Sequence, residues 1–217
     1  MFGDFNTLSV MQINSFNTNH MAPVVKVPGS GATRRYKNEQ ARALPTDRAF
    51  VFYNHFHNAL ELNDDVSSSS EDINQFTMGF EKTFGEGDWS IEVRLPVSTE
   101  TDIATQNTSA HSDGVGNLAV TLKKLLYSDS DLAVALGLAV TAPTGDNADV
   151  SFLGAELTIE NEAVHMLPYL AVQYSPDDNW FFHAFGQVDV AANGDGLRLS
   201  SGGNTFTGRT VDQTLMF

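Results

Sequence analysis

The chain has 217 residues, 41% hydrophobic and 18% charged, a length that fits two domains or one large β domain. Its formal net charge of −15 argues against a nucleic-acid partner, because nucleic-acid backbones are bound by clustered lysine and arginine. The absence of cysteine excludes disulfides, thiolate chemistry and cysteine-ligated metals.

The N-terminal segment, residues 1–47, is predicted to be poorly structured. Its first 20 residues lack the basic and apolar regions of a secretory signal. This indicates either a cytosolic protein or a sequence that begins downstream of a signal. No run approaches the roughly 18 apolar residues of a spanning helix, so a transmembrane helix is not predicted.

The rest of the chain, residues 48–217, is predicted to be a β domain because bulky side chains recur at alternate positions. A period of two predicts strands, whose successive side chains point to opposite faces. The clearest alternation lies in segments 75–84, 89–98, 132–141 and 180–190. Less regular strands are predicted at about 49–58, 116–127, 162–174 and 205–217, giving about eight strands in all.

The connections between these strands alternate in length. Short turns rich in Gly, Asp, Asn, Ser and Pro are predicted at 84–88, 128–131 and 175–179. Long loops are predicted at about 58–72, 99–115, 143–161 and 191–204. Alternating short turns and long loops, with strands of about 10 residues, are typical of outer-membrane barrels. The predicted fold class is an all-β, antiparallel, up-and-down transmembrane β-barrel.

Aromatic residues and two lysines flank the predicted short turns. In a membrane barrel, aromatic girdles lie at the interface and long lysine side chains reach the headgroups. The interface candidates are Lys82, Phe84, Trp89, Lys124, Tyr127, Tyr174 and Trp180.

The polar faces of the strands predict what a barrel interior would contain. If Phe84 pairs with Trp89 across the first turn, Glu81 faces Glu92, and Arg94 lies one pleat away. Such a charged network would either constrict a pore or only brace a closed interior. The lumen-lining candidates are Glu81, Glu92, Arg94, Lys123, His183, Gln187 and Asp189.

A soluble β-sandwich or lipocalin-like barrel is the structural alternative. In that fold the bulky face would form the core, and Glu81, Glu92 and Arg94 would face solvent.

Segment 113–146, DGVGNLAVTLKKLLYSDSDLAVALGLAVTAPTGD, resembles the core of a family of bacterial outer-membrane barrels. The family is that of transporter-like or "MetA-pathway of phenol degradation" proteins. The matching features are 116–118 opening a strand, the lysine pair 123–124, the short turn and 143–145. Segments 47–58, 73–84 and 160–195 look similar to a planctomycete-like branch of this family, and the whole resemblance spans roughly residues 47–217. The resemblance implies a Gram-negative outer-membrane location, a signal sequence and further strands after residue 217. We therefore expect a fragment, truncated at the C-terminus as well; a complete eight-stranded barrel is the alternative.

No catalytic residue, metal ion or cofactor is predicted, so the protein is expected not to be an enzyme. His55 and His57 share a strand face with Tyr53 and could supply two metal ligands. Packing in the barrel interior or under the N-terminal segment is the favoured fate of these histidines. The D-N-x-D pattern at 146–149 lacks the glycine and glutamate of an EF-hand. HSDG, at 111–114, is a contiguous loop run rather than a triad.

The predicted function is a passive channel or uptake porin for small solutes. Its expected partners are the lipid bilayer and a small molecule whose identity stays open, as does the oligomeric state. One alternative is a non-transporting, plugged envelope barrel with acidic partner-binding loops. The other is a soluble ligand-binding β-sandwich or barrel.

Overall fold

The computed structural model describes residues 10–12, 24–26, 43–63, 67–99, 101–112, 114–177, 179–209 and 213–216. These residues form sixteen strands, all paired antiparallel, and one tight turn at Gly85–Gly87. Within these ranges there is no helix long and apolar enough to cross a membrane. The predicted all-β, antiparallel fold class is confirmed.

The strands follow one another along the chain and are numbered in that order. They are β1 (Val10–Gln12), β2 (Val24–Lys26), β3 (Arg48–Asn63), β4 (Ser68–Phe84), β5 (Trp89–Ser98), β6 (Thr101–Ala104), β7 (Thr108–Ser112), β8 (Ala119–Ser128), β9 (Leu132–Thr141), β10 (Ala148–Phe152), β11 (Ala155–Glu160), β12 (His165–Asp177), β13 (Trp180–Ala191), β14 (Gly196–Ser201), β15 (Asn204–Arg209) and β16 (Gln213–Met216).

The strands form two sheets. The larger has ten strands in the order β1-β2-β3-β4-β5-β8-β9-β12-β13-β16 and is strongly curled into a half-barrel. The smaller has six strands in the order β15-β14-β11-β10-β7-β6. Its hairpins leave the larger sheet at the end opposite the short turns, which we call the hairpin end; the other end is the turn end.

The predicted long loops are wrong, because they contain most of the smaller sheet. Segments 99–115, 143–161 and 191–204 hold β6, β7, β10, β11 and β14, while β3 and β4 extend through most of 58–72. Two of the hairpins close with two-residue turns of positive φ, at Leu153-Gly154 and Gly202-Gly203. Such turns match the twist of paired strands. The strands on either side of each turn therefore pair with each other as a β-hairpin. The strand count is correspondingly higher than the predicted eight.

The register predicted for the first hairpin is confirmed. Phe84 pairs with Trp89, Lys82 with Ile91, and Glu81 with Glu92. The connecting turn is tight because its three residues, 85–87, all have positive φ, between 60° and 94°. The predicted turns at 128–131 and 175–179 are also short hairpin connections.

The larger sheet buries its polar face and exposes its apolar face. Glu81, Glu92 and Lys123 are only 2–3% exposed. The exposed face carries Phe76, Met78, Phe80, Ile91, Leu122, Leu136, Leu138, Val140, Met166, Leu170, Phe182 and Val188. This is the opposite of the arrangement that the soluble alternative predicts, in which Glu81, Glu92 and Arg94 face solvent.

The smaller sheet has the ordinary polarity of a water-soluble protein. Its buried face is an apolar cluster of Ile103, Ala110, Ala148, Val150, Leu157 and Ile159, joined by Ile73 of β4. Ser109, Ser151 and Glu156, at alternate positions, are partly or fully exposed. The sense of burial therefore reverses between the two sheets.

The prediction for residues 1–47 falls largely outside the described residues. The short strands β1 and β2 extend the larger sheet from β3. Ala43 is fully buried, in a cluster with Ala133, Ala135, Tyr169 and Ala171. The chain thus passes across the buried face before β3 begins.

Candidate functional site

The buried face of the larger sheet holds a charged network centred on Glu81. Its carboxylate accepts hydrogen bonds from Arg48 Nε at 2.9 Å, Ser90 Oγ at 2.6 Å and Lys123 Nζ at 2.8 Å. The second arm of the Arg48 guanidinium donates to Glu92 Oε2 at 2.9 Å. The network links β3, β4, β5 and β8, so it ties four strands together.

Strand pairing explains why these side chains meet. Glu81 pairs directly with Arg48 on one side and with Glu92 on the other. Like charges directly opposite one another destabilise a sheet, and a planar guanidinium can bind two carboxylates at once. Arg48 binds both carboxylates here. Lys123 of β8, which pairs with Ser90 of β5, adds a second positive charge beside Glu81.

A second polar cluster lies on β12 and β13. His165 Nδ1 is 2.8 Å from Asp189 Oδ1, and both side chains are largely buried. Gln187 is 1% exposed, and within the described chain neither its amide nitrogen nor its amide oxygen has a hydrogen-bond partner. A buried amide in this state is normally satisfied by water or by a polar ligand.

The wall between the two clusters is lined by small residues. Ala133, Ala135, Gly137 and Ala139 of β9 are all buried. Tyr169, paired with Gly137, lies directly over it, where a Cβ would overlap the ring. Part of the space left by the small residues is thus occupied by an aromatic side chain and by Ala43.

Six of the seven lumen-lining candidates lie on this buried face: Glu81, Glu92, Arg94, Lys123, Gln187 and Asp189. The exception is His183, which is exposed and contacts the Phe181 ring edge-on at 5.4 Å. β16 pairs with β13 only at residues 187–190, so in the described chain the first half of β13 has a strand on one side alone. His183 is therefore not enclosed.

The interface candidates all lie at the turn end of the sheet. Phe84, Tyr127, Tyr174 and Trp180 are exposed, and Trp89 is partly buried. The Trp89 and Phe84 rings stack with their centroids 6.3 Å apart. Lys124 Nζ lies over the Trp89 ring, 4.8 Å from its centroid.

The remaining interface candidate, Lys82, is paired with a carboxylate. It donates to Asp47, just before β3, and Thr83 donates to the same carboxylate from its amide and its hydroxyl. The Lys82 hydrogen bond, together with those from Thr83, holds the pKa of Asp47 far below its usual range. Lys82 and Thr83 together therefore tie the residue before β3 to the end of β4.

Sequence reasoning missed Arg48, Ser90 and His165. Arg48 and Ser90 both lie at strand positions whose side chains point to the buried face. The confirmed β4–β5 register therefore could have placed Ser90 beside Glu81. The position of Arg48 opposite Glu81 depends on the β3–β4 register. An irregularity between Phe56 and Leu60 shifts that register relative to the one expected from the hairpin. That irregularity has no signal in the alternation.

The histidines of β3 were wrongly expected to be enclosed. His55 and His57 are on the exposed face, with 46% and 75% of their side-chain surfaces accessible. Asp72 of β4 lies between them, and the three side chains form a compact group.

The sequence of the chain matches a known protein family. Residues 54–208 match the family described as "Putative MetA-pathway of phenol degradation". The chain belongs to this family. The match covers β4 to β14 completely and most of β3 and β15, so it spans strands of both sheets. Searches of curated proteins and of solved structures return no match.

Proposed function

We propose that this family member is an outer-membrane β-barrel that acts as a passive channel for small solutes. The observation that carries the proposal is the reversed polarity of the larger sheet. No covalent chemistry is part of the proposal.

The exposed face of the larger sheet suits lipid rather than water. Soluble monomers rarely expose contiguous apolar patches beyond a few hundred Å². Here apolar side chains follow one another across β4, β5, β8, β9, β12 and β13. Aromatic residues collect where such a surface would meet the headgroups, as in membrane barrels. Transfer of this face into a bilayer removes it from water.

The buried face suits a polar interior. Enclosing ionised groups in a dry apolar core costs several kcal/mol per ion. The ionised groups of this face include the carboxylates Glu81, Glu92 and Asp189 and the cations Arg48, Arg94 and Lys123. A water-accessible lumen lowers that cost, and the unsatisfied amide of Gln187 offers a hydrogen-bonding site along it. We infer that the Glu81 network narrows the lumen near the turn end.

A plugged, non-transporting barrel is the second candidate. It is favoured by Ala43 and Tyr169, which occupy space on the buried face. In that case the network and the chain before β3 would act together as a seal.

Conductance across a planar lipid bilayer tests the proposal. The wild-type protein is expected to give discrete channels. Glu81→Ala/Lys123→Ala removes an ion pair of zero net charge from the narrow part of the lumen and is expected to increase the single-channel conductance. The control is Glu160→Ala/Arg198→Ala, which removes an exposed pair of the smaller sheet and should leave conductance unchanged.

The other outcomes separate the alternatives. Membrane insertion without conductance in wild type, with channels only in Glu81→Ala/Lys123→Ala, would support the plugged barrel. A protein that stays monodisperse in detergent-free buffer would contradict membrane insertion altogether.

A further inference from the structure

Two histidines and one aspartate meet on the exposed side of β3 and β4, away from the buried face. His55, His57 and Asp72 each present one ligand atom, and these atoms lie within 4.8 Å of one another. His57 Nδ1 is 2.9 Å from Asp72 Oδ1, and His55 Nε2 is 3.6 Å from Asp72 Oδ2. The carboxylate therefore bridges the two imidazoles.

A bulge in β3 builds this group. Phe56 pairs with Ile73 and Leu60 with Glu71, so residues 57–59 stand opposite the single residue Asp72. Asn58, at φ 49°, turns its backbone N–H toward the Asp72 carboxylate and donates at 2.7 Å. This hydrogen bond is the largest cause of the lowered pKa of Asp72, so the carboxylate is held ionised.

The His55 ring is held in orientation by a partner on its other nitrogen. Asn74 Oδ1 accepts from the Tyr53 hydroxyl at 2.8 Å and lies 2.8 Å from His55 Nδ1. An amide oxygen can only accept, so Nδ1 is the donor in this contact, and Nε2 is the ring nitrogen that faces Asp72. Metal-ligating histidines are commonly oriented by such a partner on the other ring nitrogen.

We propose that His55 Nε2, His57 Nδ1 and the Asp72 carboxylate bind one divalent transition-metal ion such as Zn²⁺, Ni²⁺ or Cu²⁺. Two imidazoles and one carboxylate suit these ions, whereas Ca²⁺ and Mg²⁺ prefer all-oxygen sites. With metal–ligand bonds of about 2.0–2.2 Å, neighbouring ligand atoms lie roughly 3–3.5 Å apart, close to the two His–Asp distances of 2.9 and 3.6 Å. The three ligand atoms, all within 4.8 Å of one another, would draw together on binding. The ion replaces the proton that His57 Nδ1 shares with Asp72.

The location suggests what the ion does. On the exposed face of β4, the apolar run that ends at Phe76 gives way to Asn74 and then Asp72. The site thus lies beyond the apolar face, toward the hairpin end, where the bulge interrupts the β3–β4 ladder. The ion would clamp the two strands at this interruption. This role is independent of whether the barrel conducts solutes.

Metal titration of the full chain, folded in detergent and stripped with chelator, tests the site. Calorimetry with Zn²⁺ is expected to show one saturable site per chain, which weakens as the pH falls from about 8 to about 5 because protons compete for imidazole. His55→Gln, His57→Gln and Asp72→Asn should each abolish it. Cu²⁺ in the same site should show hyperfine coupling to two imidazole nitrogens.

Two further variants separate a metal site from a structural cluster. Asn74→Leu removes the partner of His55 and should weaken Zn²⁺ binding about tenfold or more. His183→Gln removes an exposed histidine outside the group and should bind like wild type. Heat-modifiable gel mobility checks that every variant is folded. Unchanged stoichiometry and affinity in His55→Gln/His57→Gln, or no saturable binding by wild type, would overturn the proposal.

Discussion

The residue pair Gly137 and Tyr169 shows how the small face of β9 is used. Alternation predicts that Ala133, Ala135 and Gly137 share one face, and the structure places all three on the buried side. The sequence leaves open what faces them, because that depends on the partner strand's register. Tyr169 of β12 pairs with Gly137, and its ring occupies the space that a side chain there would need.

We expect Gly137→Ala to destabilise the fold by about 1–3 kcal/mol, because the added methyl overlaps a packed ring. Tyr169→Ala in the same chain should relieve most of that cost, giving a clear coupling energy in a double-mutant cycle. The measurement is denaturant unfolding in detergent or lipid. The control is Gly186→Ala, where a Cβ would meet no atom within 4 Å. Equal losses in Gly137→Ala and Gly186→Ala would contradict this packing.

The elements of the larger sheet were largely predictable, whereas those of the smaller sheet were not. Strands 75–84 and 89–98 alternate strictly, so both their extent and their register follow from the sequence. Hairpins such as β6–β7 are short and rich in Thr and Ser, so alternation does not separate them from loop. The strands that pair with these hairpins from the side, such as β10 with β7, lie far along the chain. The Gly202-Gly203 turn was the one local signal for a tight hairpin.

The turn between β8 and β9 is organised by a single carboxylate. Asp129 accepts from the Tyr127 hydroxyl at 2.7 Å and from the amides of Asp131 and Leu132 at 2.9 and 2.8 Å. These bonds, the Tyr127 hydroxyl first, lower the pKa of Asp129 below its ordinary 3.8. The ionised form therefore favours the folded turn.

We expect Tyr127→Phe to raise the pKa of Asp129 toward its ordinary value, measured by NMR titration of the carboxyl carbon. A lowered pKa adds stability at pH values above 3.8 that is lost as the pH falls through the lowered value. The stability difference between wild type and Tyr127→Phe should accordingly shrink in acid. Tyr174→Phe, at another turn, is the control. An unchanged Asp129 pKa in Tyr127→Phe would show that the hydroxyl does not act on it.

At the scale of the whole molecule, the two sheets have opposite senses of burial. The larger buries charge and exposes Phe, Leu and Trp, while the smaller buries Ile, Val and Leu. One chain with both patterns fits a protein that is part in lipid and part in water. The resemblance to the phenol-degradation family, inferred from short motifs, is confirmed over residues 54–208.

The most direct test of the account uses the protein's two tryptophans, Trp89 and Trp180, which both flank short turns at the turn end. Tryptophan fluorescence is measured in vesicles of lipids brominated at different depths, with Trp89→Phe and Trp180→Phe separating the two signals. If the exposed face meets lipid, bromines near the headgroups should quench both residues more than bromines at the chain ends. Fluorescence equal to that in unbrominated vesicles would contradict the account.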